Sequence, residues 1–291
     1  MTIFFKPQMT SQDISKCAIF SDHIPGAILM RLLCLLLTFL GFFYQPLCAE
    51  ENFILIHGST QEIIKEFGSS IHVQVAPACS FNIALSLMGY DAGVLKDEHT
   101  PNWSYQDGYD DFSESWKQPQ TPQTWMTRSC VWFSKILSIE LRLKAIEHYL
   151  SLFGYGNQDF SKGIIPPGPI NPAWVSASLK ISPMEQVEFV QKMVQQKLPI
   201  SSHALEKTKN ILFKEEFSTG LKLFGKTGLG EVIDEKGTLL KVRWFVGWVE
   251  NTHNFYPFAY LLQQQEVDIL QTVPRVKQLL EESNLTGYDS L

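Results

Sequence analysis

Residues Ala76–Gly93 read APACSFNIALSLMGYDAG. Phe81 to Met88 is almost continuously apolar and too short to be amphipathic over several turns, so the stretch predicts a helix buried on all sides. The Ala76-Pro77-Ala78 turn leads into it and sets Cys79 and Asn82 at its start. Three residues apart, they share one helix face.

The flanking sequence supplies the layers that such a helix needs. NFILIHGSTQEIIKEFG, Asn52–Gly68, is an apolar run, a polar turn and a second alternating run, the pattern of a hairpin. Val94–Pro122 is rich in Asp, Pro, Trp and Tyr without a period and reads as an irregular surface excursion. VWFSKILSIELRLKAIEHYLSLFG, Val131–Gly154, carries Ile136, Ile139, Leu143, Ile146 and Leu150 at helical spacing and predicts one helix ended by Gly154. In SPMEQVEFVQKMV, Ser182 is the N-cap, Pro183 the first helical residue and Glu185 the partner in a capping box. ALEKTKNILF predicts a further short helix.

After about Gly220 the character changes to strands: LKLFGKTGLGEVI, TLLKVRWFVGWVE and NFYPFAYLLQQ, followed by a last helix from Pro274 to Ser283. There is no internal repeat and no Gly/Ser linker. The order gives one α/β (α+β) domain over residues 50–291: a mainly antiparallel sheet flanked by helices, with a helical subregion and terminal strands able to pair.

Of the 291 residues 45% are apolar and 19% charged, enough for a sizeable core. The net charge of −6 comes without a Lys/Arg block, which argues against a nucleic-acid partner. At the other end of the chain, Met30-Arg31 is followed by LLCLLLTFLGFF and then YQPLCAE. This is a basic segment, an apolar core of about twelve residues and a small residue, the pattern of a secretory signal with its start at Met30 and cleavage after Ala49. The run is short of the about twenty apolar residues a membrane span needs, so residues 1–49 read as an upstream segment plus signal, with a retained anchor as the weaker alternative. On that reading the mature chain is periplasmic and keeps no membrane span. Its remaining cysteines are Cys79 and Cys130, which in an oxidising compartment are a candidate disulfide pair and equally two free thiols. The histidines show no metal-ligand spacing, and neither a metal nor a cofactor is expected.

Four short motifs fall in order along the chain: Pro77-Ala78-Cys79-Ser80-Phe81-Asn82, Ser129-Cys130-Val131-Trp132, Phe153-Gly154-Tyr155-Gly156-Asn157 and Gly225-Lys226-Thr227-Gly228. With their contexts TWMTRSCVWFSK, YGNQDFSKG, SLKISPMEQVEFV and RWFVGWVE, they resemble the class D (oxacillinase-type) β-lactamases and the penicillin-recognising transpeptidases related to them. The resemblance spans nearly all of residues 50–291. It implies a β-lactam or a peptidoglycan stem peptide as ligand.

The resemblance also implies roles. The nucleophile position falls on Cys79 and the lysine of Ser-x-x-Lys, carboxylated in the family to act as general base, falls on Asn82. Ser129 takes the place of the proton relay, with Val131 beside it. Trp174 stands where the modified lysine is held, Lys226, Thr227 and Gly228 line the substrate, and Arg275 is the supporting arginine for the substrate carboxylate. The binding half of the pattern is intact; the catalytic half has Cys79 for serine and Asn82 for lysine. Two expectations follow: a protein that binds or slowly traps its ligand without efficient turnover, or a working β-lactamase that hydrolyses through a Cys79 acyl-enzyme.

Overall fold

The run WFVGWV, Trp244–Val249, carries no charge because the strand it forms is covered on both faces there. It belongs to β5 (Leu239–Glu250), inside a sheet that also contains β1 (Glu50–Ile56), β2 (Ile63–Phe67), β3 (Phe213–Glu216), β4 (Lys222–Ile233) and β6 (Phe255–Gln264). All neighbours are antiparallel and the order is β2-β1-β6-β5-β4-β3, so the two ends of the domain meet where β1 pairs with β6, Phe53 opposite Tyr260. The computed structural model describes residues 50–233, 237–265 and 269–285; residues 1–49, read as an upstream segment and an export signal that starts at Met30, lie outside them.

Alternation along β5 sorts the core into two layers. Trp244, Val246 and Trp248 join the larger cluster, which holds α1 (Asn82–Asp91) and most of the other helices. Phe245 and Val249 face the other way, with Phe258 and with Val276 and Leu279 of α7 (Thr272–Glu282). Each such side chain, once buried, contributes about 1.5–3 kcal/mol. Strands β4 and β5 also touch without side chains at one rung. Gly225 lies opposite Gly247, and a Cβ on Gly247 would come within 2.0 Å of the Phe224 carbonyl oxygen.

The remaining helices are α2 (Pro122–Arg128), α3 (Val131–Leu141), α4 (Leu143–Phe153), α5 (Pro183–Val194) and α6 (Ser202–Leu212). The capping box of α5 is formed: Ser182 Oγ accepts from Glu185 N, and Glu185 Oε2 accepts from Ser182 N at 2.8 Å. Helix α1 is buried along its whole length apart from its last residue, Asp91, and one 3₁₀ turn, Ala78–Phe81, leads into it.

One expectation fails. The stretch Val131–Gly154 is two helices, broken at Arg142, whose backbone sits at φ 69°, ψ 150°. That conformation costs a non-glycine residue about 1–3 kcal/mol. Neither Gly nor Pro marks the break, so the apolar period runs across it, yet Ile139 and Leu143 on either side are 41% and 37% exposed.

Candidate active site

The site forms where the turn before α1 meets β4. Gly228 makes the approach possible: a Cβ there would lie 2.9 Å from Pro77 O, 3.0 Å from Ser80 N and 3.2 Å from Cys79 N. The missing side chain lets the β4 backbone pack directly against the turn that carries Cys79 into α1, where Ser80 N donates to Pro77 O at 3.1 Å. Cys79 is nearly buried, with Sγ 4.0 Å from the Ser129 carbonyl oxygen.

Ser129 ends α2 in the left-handed region, φ 55°, ψ 39°, just before Cys130 leads into α3. Turning the chain this sharply aims the Ser129 hydroxyl at β4, where it accepts a hydrogen bond from Lys226 Nζ. The same ammonium donates to Thr227 O at 2.8 Å and is 1% exposed. Burial pushes its pKa down to about 8 against the pull of a Cys79 thiolate, and the charge of Lys214 lowers it further. Burial also raises the Cys79 pKa, with Lys226 opposing. At neutral pH the resting pair is thus thiol and ammonium.

Asn82, one turn on from Cys79, is wholly buried. Its Oδ1 accepts from Ser134 Oγ at 3.1 Å, while its Nδ2 has no hydrogen-bond partner. Trp174 is 1% exposed; its carbonyl oxygen accepts from Ala78 N at 2.8 Å, its ring packs 5.5 Å from that of Phe81, and its Nε1 also lacks an acceptor. An amide neither takes up carbon dioxide nor accepts a proton at neutral pH, so the residues present do not fit a carboxylated lysine. Val131 is half-buried at the start of α3, and Thr227 is half-buried beside Lys226.

The structure thus brings Cys79, Asn82, Ser129, Val131, Trp174, Lys226, Thr227 and Gly228 to one region. Arg275 is not among them. Its guanidinium pairs with Glu51, 2.7 Å from Nε to Oε1 and 3.2 Å from Nη2 to Oε2. Glu51 lies on β1, three strands from β4, or about 14 Å at the usual strand spacing. The disulfide is not formed in this structure: Cys79 and Cys130 are both buried free thiols. Tyr155-Gly156-Asn157 is architectural here, since Asn157 Oδ1 accepts from Lys180 N and Nδ2 donates to Ser178 O.

Ser134 and Lys135 are side chains that sequence reasoning overlooked. Lys135, 1% exposed, donates to Asp110 Oδ1 at 2.8 Å and to the carbonyl oxygens of Gly168 and Ile170 at 2.6 and 3.0 Å. It ties two irregular segments to α3, the helix that follows Ser129 and Cys130. The one signal was a lysine inside the apolar run VWFSKIL.

A family model described as "Penicillin binding protein transpeptidase domain" matches residues 55–281. Beta-lactamase OXA-1 of Escherichia coli is 36% identical over 201 residues, which cover 69% of this chain and 71% of that protein. The chain belongs to the class D β-lactamase family. Beta-lactamase OXA-9 of Klebsiella pneumoniae is 33% identical over 192 residues, 65% of this chain and 70% of that one. The crystal structure of the OXA-427 class D β-lactamase superposes with a TM-score of 0.72 at 34% identity, covering 80% of this chain and 97% of that one. On the resemblance read from the sequence, the Ser and Lys positions of the Ser-x-x-Lys pattern fall on Cys79 and Asn82 in this chain.

Proposed function

We propose that the protein binds β-lactams, or a peptidoglycan stem peptide, and traps them slowly as a Cys79 thioester without efficient turnover. The observation that carries this reading is Asn82, buried and held by Ser134 at the place of the general base. In acylation the Cys79 sulfur attacks the lactam carbonyl carbon, the C–N bond breaks, and the thiol proton reaches the ring nitrogen by way of Lys226 and Ser129. Release needs a base to activate water, and losing one costs about 10²- to 10⁴-fold. The sequence from Met30 to Ala49, which reads as an export signal, supports action in the periplasm.

The second reading is a working β-lactamase with Lys226 as its base. The lysine pKa near 8 and the hydrogen bond to Ser129 favour it. Intact-protein mass spectrometry of the mature chain with a penicillin, with and without reduction, separates the two. Trapping predicts the full drug mass on Cys79, persisting for hours and absent from Cys79→Ala. Rapid multiple turnover supports the second reading. No adduct and no binding by the reduced protein overturns both, and a mass two hydrogens light that reduction restores shows a Cys79–Cys130 disulfide.

A further inference from the structure

Past Gly228, β4 continues beside a cavity of about 620 Å³ whose walls include Phe112, Val175, Leu229, Glu231, Lys241 and Arg243. The register sets Arg243 opposite Leu229 and Lys241 opposite Glu231, so both cations belong to the strand next to the site. Arg243 is 7% exposed, whereas Phe112 at the rim is 77% exposed. Glu231 is the one acid among the described lining residues, and it is paired with Lys241. An arginine carries five N–H donors, so Arg243 can serve its neighbours in the fold and a ligand together.

The direction of β4 fixes which part of a ligand reaches this cavity. Lys226 and Thr227 precede Gly228, Cys79 stands at it, and Leu229 to Glu231 follow. A ligand with its carboxylate at Lys226 and Thr227 and its reacting carbonyl at Cys79 extends its acyl substituent past Leu229.

We propose that Arg243, with Lys241 beside it, makes this cavity a subsite for an acyl substituent that combines an apolar or aromatic group with a carboxylate. Phe112, Val175 and Leu229 take the apolar part and the two cations take the charge. The inference rests on the β-lactam reading above and deepens it to a substrate class.

Benzylpenicillin and its α-carboxybenzyl analogue differ only in that carboxylate. Their acylation rates on the reduced protein, followed by intact mass, give a preference ratio. The wild type is expected to favour the dicarboxylate about tenfold, the worth of one charge-assisted hydrogen bond. Arg243→Gln should bring the ratio to about one, a loss of that single interaction. Glu231→Gln, a surface change that releases Lys241, should raise the ratio without disturbing the core. An unchanged ratio in Arg243→Gln variants that still melt cooperatively, or no preference in the wild type, overturns the subsite. A wild type that neither reacts with nor binds either penicillin fails the β-lactam reading itself and this inference with it.

Discussion

Ser134 Oγ lies 3.1 Å from Asn82 Oδ1 and 2.8 Å from Trp125 Nε1, and the second contact dictates the first. An indole nitrogen only donates, so Ser134 accepts from Trp125 and must give its own proton to Asn82. That orients the amide and leaves Nδ2 facing a buried space without an acceptor, a loss of about 1–3 kcal/mol. The site is therefore built around a residue that suits neither its surroundings nor proton transfer.

Asn82→Lys alone is expected to leave the protein without steady hydrolysis of a chromogenic cephalosporin, because the thioester at Cys79 remains. Cys79→Ser combined with Asn82→Lys should raise turnover by about 10²- to 10⁴-fold over either single change. Equal turnover by the lysine variant alone would show that the thiol is no obstacle.

Lys226 sets a pH dependence of stability whose sign is fixed. Its folded pKa of about 8 lies below the ordinary 10.5, so between those values the unfolded chain binds more protons and stability rises with pH. Lys226→Met should melt above its parent at pH 7, with the gap closing toward pH 10. The raised Cys79 pKa acts in the opposite sense at high pH, so the comparison belongs in a Cys79→Ser background. A constant gap across the range would reject the assignment.

Gly228→Ala should reduce labelling of Cys79 by at least about tenfold, since a methyl group there meets Pro77 O and the Ser80 and Cys79 backbone nitrogens and pushes the turn that carries the thiol away from β4. The rate of thioester formation measured by mass is the readout. A normal rate would show that the turn absorbs the methyl group without moving Cys79.

Arg275→Gln should leave penicillin binding unchanged and cost at most about 1 kcal/mol, the range of a partly exposed ion pair. A competition assay and a denaturant melt measure the two effects. A large loss of binding would mean that the guanidinium leaves Glu51 when ligand arrives.

The sequence carried most of the fold because periodicity, caps and turns agreed. The Ser182 capping box, the buried helix after Cys79 and the late strands all stand where their residue patterns put them. The break at Arg142 was invisible, since an arginine gives no sign of positive φ. At the site, Cys79, Asn82 and Lys226 were legible through the order of motifs. Ser134 and Lys135 were not, because their roles arise from contacts across the fold. Arg275 shows the converse, a motif-like position whose side chain turns to another strand.

Lys135, Asp110 and the carbonyl groups of Gly168 and Ile170 fasten α3 to the irregular segments beside it through bonds in which neither Cys79 nor Asn82 takes part. Selection can therefore act on this fastening and on those two residues separately. A change at Cys79 or Asn82 leaves these ties in place, so the reactive groups can vary while the frame around them keeps its shape.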